Sequence, residues 1–429
     1  MRQDRDARHG MVRLVLCAAF LTSIGCRPDA AGGDTAALTD AETPADLARQ
    51  VATMLPRLER LSGLDRRDVL RVRRQTRAQA RAYVLARLDQ ELPPVAREAV
   101  RRTYVALGLV PDTLDLDALL LDLYTEQILG YYDPGTKAVY VVASEDLDML
   151  RPMLAHELVH ALQDQHVDLD SLISTARGND RRTAAHAAME GHAMIVMFAL
   201  LAELSSRRTI DPATLPDPAH ELGPALEQQN TQFPVFRRAP LVIREGVMFP
   251  YLAGSSFVHE LWRSLHPRAR YPAPIDTLLP QSTEQVMRPA ARFIGERDEP
   301  SLVVIEELPR GWQAVREDDL GQLETAIFLH QHLGSDARAA ADGWDGDRYI
   351  LLRDDAGREV LHWFSAWDTR AAADAFAAAA ARAAVNIPQR SAAVTRIPDR
   401  ARELVYIVIA PPGAAAAALP APRIRIEAR

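Results

Sequence analysis

Residues His156, Glu157, Leu158, Val159 and His160 read HELVH, a set of types and spacings that can hold a metal ion and activate a water. At a helical 100° per residue, the two histidines lie about 40° apart on one face, so both imidazoles can reach one ion. Glu157 sits one position round, beside the open coordination position. Zn²⁺ held by two neutral imidazoles and one further protein ligand lowers the pKa of its water to about 7, and a neighbouring carboxylate can accept the proton. That is metal-assisted peptide hydrolysis with Glu157 as general base. The competing reading is a pair of surface histidines on an amphipathic helix.

The chemistry requires a helix at this point and a third ligand from elsewhere. Pro152 suits a first helical turn, and Met153, Leu154, Leu158, Ala161 and Leu162 form an apolar stripe, so a helix is expected. The stretch TAAHAAMEGHAMIVMFALLAEL reads as a second, more apolar helix with Glu190 near its head. A buried carboxylate is costly unless it is paired or binds a metal, which makes Glu190 the leading third ligand. His186, one turn earlier on the same face, is a rival ligand or a supporting partner. His192 lies about 200° round from Glu190 and is expected to pack elsewhere, and Glu245 is a further alternative. Tyr251, in the helical stretch FPYLAGSSFVHELW, is a candidate phenolic donor to the developing oxyanion, with a packed core tyrosine as the competing reading.

Around these residues the chain alternates helix and strand signals. Tyr131, Tyr132, Val139, Tyr140, Val141 and Val142 flank Asp133, Pro134 and Gly135, a β-hairpin with turn chemistry at its tip, immediately before the HELVH helix. Residues 46–109 read as helical and Arg-rich, with Val69, Val72, Thr76, Ala80, Tyr83, Val84 and Leu88 recurring at three and four. Another helix is expected over 114–129. The segment 200–241 is interrupted by six prolines and is expected to wind over the surface or the cleft. Ser282 with Gln285 has the form of a capping box. Near residue 299 the character changes to strands in LVVIEEL, RYILLRD and REVLHWFSAW and near 404–409, with helices over 318–332 and 369–385. In that part GWDGDR reads as a tight turn and PPGAAAAALPAP as a linker. The expected fold class is therefore α+β: a mainly helical metal-binding domain with a small sheet over 46–298, then a smaller α+β domain over 299–429.

With 429 residues, 48% apolar and 25% charged, the chain suffices for two ordinary domains. Its 50 basic and 58 acidic residues give a formal charge of -8, and no basic block suggests DNA or RNA binding. Residues 1–25 combine a charged start with the apolar run LVLCAAFLTSIG, an export signal too short to span a bilayer. Ser23, Ile24, Gly25 and Cys26 resemble a bacterial lipoprotein signal, in which the cysteine becomes a lipidated N-terminus; residues 26–45 then form a flexible tether. Cys17 and Cys26 are the two cysteines, so the body is held by its core and a metal rather than by disulfides.

Taken together, HELVHALQDQH, MEGHA, FPYLAGSSFVHEL, STEQV, GWDGDRY and WDT resemble a family of exported bacterial zincin metallopeptidases of the gluzincin-like HExxH kind, over about 124–369. The string Glu190, Gly191, His192, Ala193 is similar to the Glu-Gly-x-Ala at the third ligand of many gluzincins. The resemblance implies a zincin-like fold, His156, His160 and Glu190 as Zn²⁺ ligands, and Glu157 as general base. It also implies that a sheet edge beside the metal helix holds the substrate peptide extended. Arg288 stands where such relatives carry His, and His192 where they often carry Asp; Asp164 is then the carboxylate expected to hold an imidazole in its tautomer. The expected function is a zinc metallopeptidase of the cell envelope, anchored to the membrane through Cys26 and acting on peptide or protein. The alternatives are a non-catalytic binding or scaffold lipoprotein on a degenerate zincin fold and a zinc amide hydrolase of cell-wall glycopeptide.

Overall fold

A computed structural model describes residues 38–126, 128–142, 147–172, 174, 177–220, 233–397, 399 and 402–427. The expected signal segment, Cys17 and the expected anchor residue Cys26 lie outside the described residues, as do positions 221–232 of the proline-interrupted segment. The expected tether ends earlier than residue 45. Leu70 N donates to Leu38 O (3.0 Å), and Asp40 pairs with Arg73, so the chain is already docked from Leu38.

The described chain is mixed α+β, helical in its N-terminal part and β-rich in its C-terminal part. Its elements begin with helix α1 (Ala45–Ser62), strand β1 (Arg71–Gln75), helices α2 (Arg77–Glu91), α3 (Pro94–Ala106) and α4 (Leu116–Glu126), and strands β2 (Gly130–Asp133) and β3 (Ala138–Val142). The long helices α5 (Leu147–Asp164), α6 (Asn179–Ser206) and α7 (Leu241–Leu265) follow. The structure corrects the helical reading of residues 69–76. Val72 pairs with Val139 in a parallel ladder, and Thr76 starts α2 through a capping box with Gln79. A chance three-and-four spacing gives way there to a buried strand pairing.

β1, β3 and β2 form one sheet in that order, with the expected β2–β3 hairpin antiparallel and β2 at the edge. The strands β2 and β3 pack on α5. Pro152 falls well inside α5 rather than in its first turn, which deprives the helix of one backbone hydrogen bond. α6 is the central post, packed by α1, α5 and α7. It is long and apolar enough to cross a membrane, but 78% of its most apolar window is buried inside the fold. It is apolar on all sides because protein surrounds it.

The C-terminal part contains β4 (Leu302–Glu307), β5 (Trp312–Asp318), helix α8 (Gly321–Leu333), β6 (Trp344–Asp354), β7 (Glu359–Trp367), helix α9 (Arg370–Val385), β8 (Ser391–Ile397), β9 (Glu403–Ala410) and β10 (Arg423–Glu427). Strands β5-β6-β7-β9-β8 make an antiparallel sheet, and β10 pairs with β4. α9 packs on this sheet through Phe376, against Trp363 and Trp367. Buried residues on both sides of position 299, from Leu47 to Ile409, belong to one continuous apolar cluster.

Two short-range readings of this part are also corrected. GWDGDR is the start of β6 rather than a tight turn: Asp345 accepts from Ser301 Oγ (2.7 Å), and Asp347 accepts from the backbone N–H groups of Leu320 and Gly321 (2.9 Å each). These carboxylates splice strands to helix α8. PPGAAAAALPAP is packed rather than a free linker, since Ala416 is buried with Val360, Val408 and Ala410, and the segment returns the chain to form β10.

Candidate metal centre

On α5 every residue from Pro152 to Asp164 is buried except His156, Glu157 and His160, which are partly exposed. The apolar positions fix the helix in the core, and the remaining face presents these three groups together. α6 brings Glu190 opposite them. Glu190 Oε2 lies 3.0 Å from His156 Nε2 and 3.5 Å from His160 Nε2, and the two Nε2 atoms are 3.1 Å apart. An ion about 2.0–2.1 Å from three donors in tetrahedral geometry sets them roughly 3.3–3.4 Å apart. The triangle of two imidazole nitrogens and one carboxylate oxygen could therefore hold a metal ion.

The electrostatics follow from proximity. Burial works against charge on His160, but the Glu190 carboxylate outweighs it and the imidazole is pushed up to about 9. Burial alone would raise Glu190, yet His160, His156 and His186 together hold it well below the usual carboxylate range. The carboxylate and the imidazoles thus favour each other's charged forms. His186 Nε2 reaches the other oxygen, Oε1, at 3.2 Å, which places it behind the ligand as a supporting partner.

Glu157 is steered by the sheet. Its Oε2 accepts from the backbone N–H of Tyr132 (2.8 Å) on the edge strand β2, so the hairpin and the metal helix share a hydrogen bond at the site itself. Asp164 does not hold an imidazole as expected. It accepts from Tyr132 Oη (2.6 Å) and from Nζ of Lys137 (2.7 Å), the sole lysine of the chain, and so clamps the hairpin to the end of α5. The group that holds His160 is Gln163, whose Oε1 accepts from Nδ1 at 2.8 Å. The HELVHALQ spacing contained this signal, because position i+3 returns to the same helical face.

The other candidates separate cleanly. The ring of Tyr251, on α7, stands 6.3 Å from that of His156 at 31°, at the border of the site and against the apolar core. His192 points away, as expected, and burial pushes its imidazole down to about 3. Glu245 is not grouped with the triad and pairs instead with His330 and Arg338. Ser282 caps its short helix by accepting from Gln285 N (3.3 Å), whereas the Gln285 side chain serves Gln281 N (2.7 Å) instead of closing the box. Arg288 pairs with Asp342. A second group, Glu284, Asp298 and Asp368, also converges, but Arg292 sits among all three carboxylates as their counter-charge.

Comparison with known proteins places one match on the chain: a domain of unknown function (DUF8575) covers residues 306–419, the β-rich C-terminal part. The match does not include His156, His160 or Glu190. No curated protein and no solved structure matches the chain.

Proposed function

We propose that the protein is a zinc-dependent metallopeptidase on a zincin-like fold, held at the cell envelope through Cys26. The observation that carries this reading is the triangle of His156 Nε2, His160 Nε2 and Glu190 Oε2, at separations suited to a tetrahedral ion, with Glu157 on the same helical face. A zinc ion bound there supplies a Lewis acid that acidifies a water and polarises the scissile carbonyl. The remaining steps belong to the chain's own residues. Glu157, oriented by Tyr132 N–H, takes the water proton and returns it to the leaving amine. Tyr251, beside His156, is the donor we assign to the developing oxyanion. The outer edge of β2 is where we place the peptide, because an extended substrate can add to it as a strand next to Glu157.

The test is cleavage of a broad peptide library by the zinc-loaded protein, its chelated form and Glu157→Gln. Glu157→Gln is expected to keep its zinc and to lose roughly 10²–10⁴-fold in rate. Undiminished cleavage by Glu157→Gln would overturn the assignment, and tight zinc binding with no cleavage of any peptide would leave a binding role instead.

A further inference from the structure

Behind His160 runs a hydrogen-bonded chain that ends on the main chain. Gln163 Oε1 faces His160 Nδ1 (2.8 Å), while Gln163 Nε2 faces both Met189 O (3.0 Å) and His192 Nδ1 (2.9 Å). His192 Nε2 in turn faces Ser62 O (2.9 Å), in the last turn of α1. Gln163, His192 and Ser62 are each fully buried, so no solvent can stand in for a missing partner.

The direction of this chain is set at two points. Ser62 O and Met189 O are carbonyl oxygens that can only accept, and Ser62 O is one of the carbonyls a helix leaves free at its C-terminal end. His192 must therefore donate from Nε2, which leaves Nδ1 as an acceptor. The Gln163 amide must turn its NH₂ toward Met189 O and His192 Nδ1, since the flipped amide would set oxygen against both acceptors. Its Oε1 is then the only group left for His160, and it accepts. His160 is thereby required to carry a proton on Nδ1.

We infer that Gln163 and His192 are positioning residues that transmit the orientation of two backbone carbonyls to His160 and fix the tautomer whose Nε2 lone pair points at the ion. This deepens the metallopeptidase reading and rests on it for its purpose, though not for its geometry. The opposite tautomer would put a proton where the metal belongs. It also gives α1, which contributes no ligand, a defined connection to the site. His192 packs edge-on against Trp262 (5.6 Å between centroids), so phenylalanine can keep the ring's place while removing both nitrogens.

Three proteins test this: wild type, Gln163→Met and His192→Phe, each checked for cooperative unfolding. Zinc dissociation constants are measured by competition with a chromophoric chelator. ¹⁵N-histidine NMR reads the tautomer of His192 and the exchange rate of the His160 Nδ1 proton. Gln163→Met is expected to weaken zinc by roughly 10–100-fold. His192→Phe is expected to weaken it less, with faster exchange of the His160 Nδ1 proton in both variants. Wild-type His192 is expected as the neutral Nε2–H tautomer with or without zinc. A His192 proton on Nδ1, or zinc binding and exchange at wild-type values in both variants, would overturn the inference. A wild-type protein that binds no zinc would overturn the metallopeptidase reading instead, while the His192 tautomer would still report on the chain.

Discussion

The crossing of α6 and α7 sets how accurately Glu190 is placed, and it rests on two glycines. A Cβ on Gly191 would fall inside the carbonyl group of Gly254, and a Cβ on Gly254 would fall inside that of Ala187. In both cases the obstacle is backbone, so no side chain can swing aside and the helices must separate by about 1 Å or more. Gly191→Ala removes a glycine penalty of about 0.5–1 kcal/mol in the helix interior. Forced separation in a packed core costs about 1–3 kcal/mol or more, and it disturbs contacts along the whole crossing. The net expectation is destabilisation by roughly 1–2 kcal/mol, read as a lower urea midpoint at unchanged m-value. Zinc affinity should fall with it, because Glu190 is the neighbouring residue. Gly254→Ala should behave alike, and the double variant should lose less than the sum, since one separation relieves both clashes. Wild-type or higher stability for Gly191→Ala would refute this account of the crossing and of how Glu190 is held.

Two further outcomes follow from buried charge. Burial pushes Asp180 up to about 7, against the Thr283 backbone and hydroxyl donors that favour its charge, and Glu324 is also pushed up to about 7. Both stay protonated in the fold while the unfolded chain ionises from about pH 4, so their contribution is full below about pH 4 and is lost as pH rises to about 7. Asp180→Asn should reduce the fall in stability across that range by an amount on the order of a few kcal/mol in urea titrations between about pH 4 and 7, and an unchanged fall would count against the burial argument. In the hairpin clamp, Asp164→Ala strands Tyr132 Oη and Lys137 Nζ and should cost about 1–3 kcal/mol. Lys137→Met removes only a half-exposed partner and should cost under about 1 kcal/mol, so equal losses would contradict the clamp.

What could be read in advance was local. HELVH lies on a helix because its apolar neighbours repeat at the helical period, and the hairpin was marked by Asp133, Pro134 and Gly135 between two strand-like runs. Glu190 stood out as a carboxylate in an apolar run, the kind of residue that needs a partner. What escaped was whatever depends on a distant segment. β1 is a strand because β3 lies beside it, and RVRRQ alone has no such preference. Asp164 and Gln163 both return to the face of His160, and only the position of the hairpin turns the carboxylate to Lys137 and leaves the amide for the imidazole. Asp345 and Asp347 look like turn residues until Ser301, Leu320 and Gly321 arrive to donate to them. An alanine-rich stretch has a linker's composition whether or not Ala416 finds a cluster to enter.

His156, His160 and Glu190 are proposed to hold one zinc ion. X-ray absorption at the zinc edge, together with metal content, measures this directly on the zinc-loaded protein after dialysis. One zinc per chain is expected, with a shell of nitrogen and oxygen at about 2.0–2.1 Å, lost in His160→Ala. A protein that retains no zinc, or a shell that requires sulfur, would contradict it.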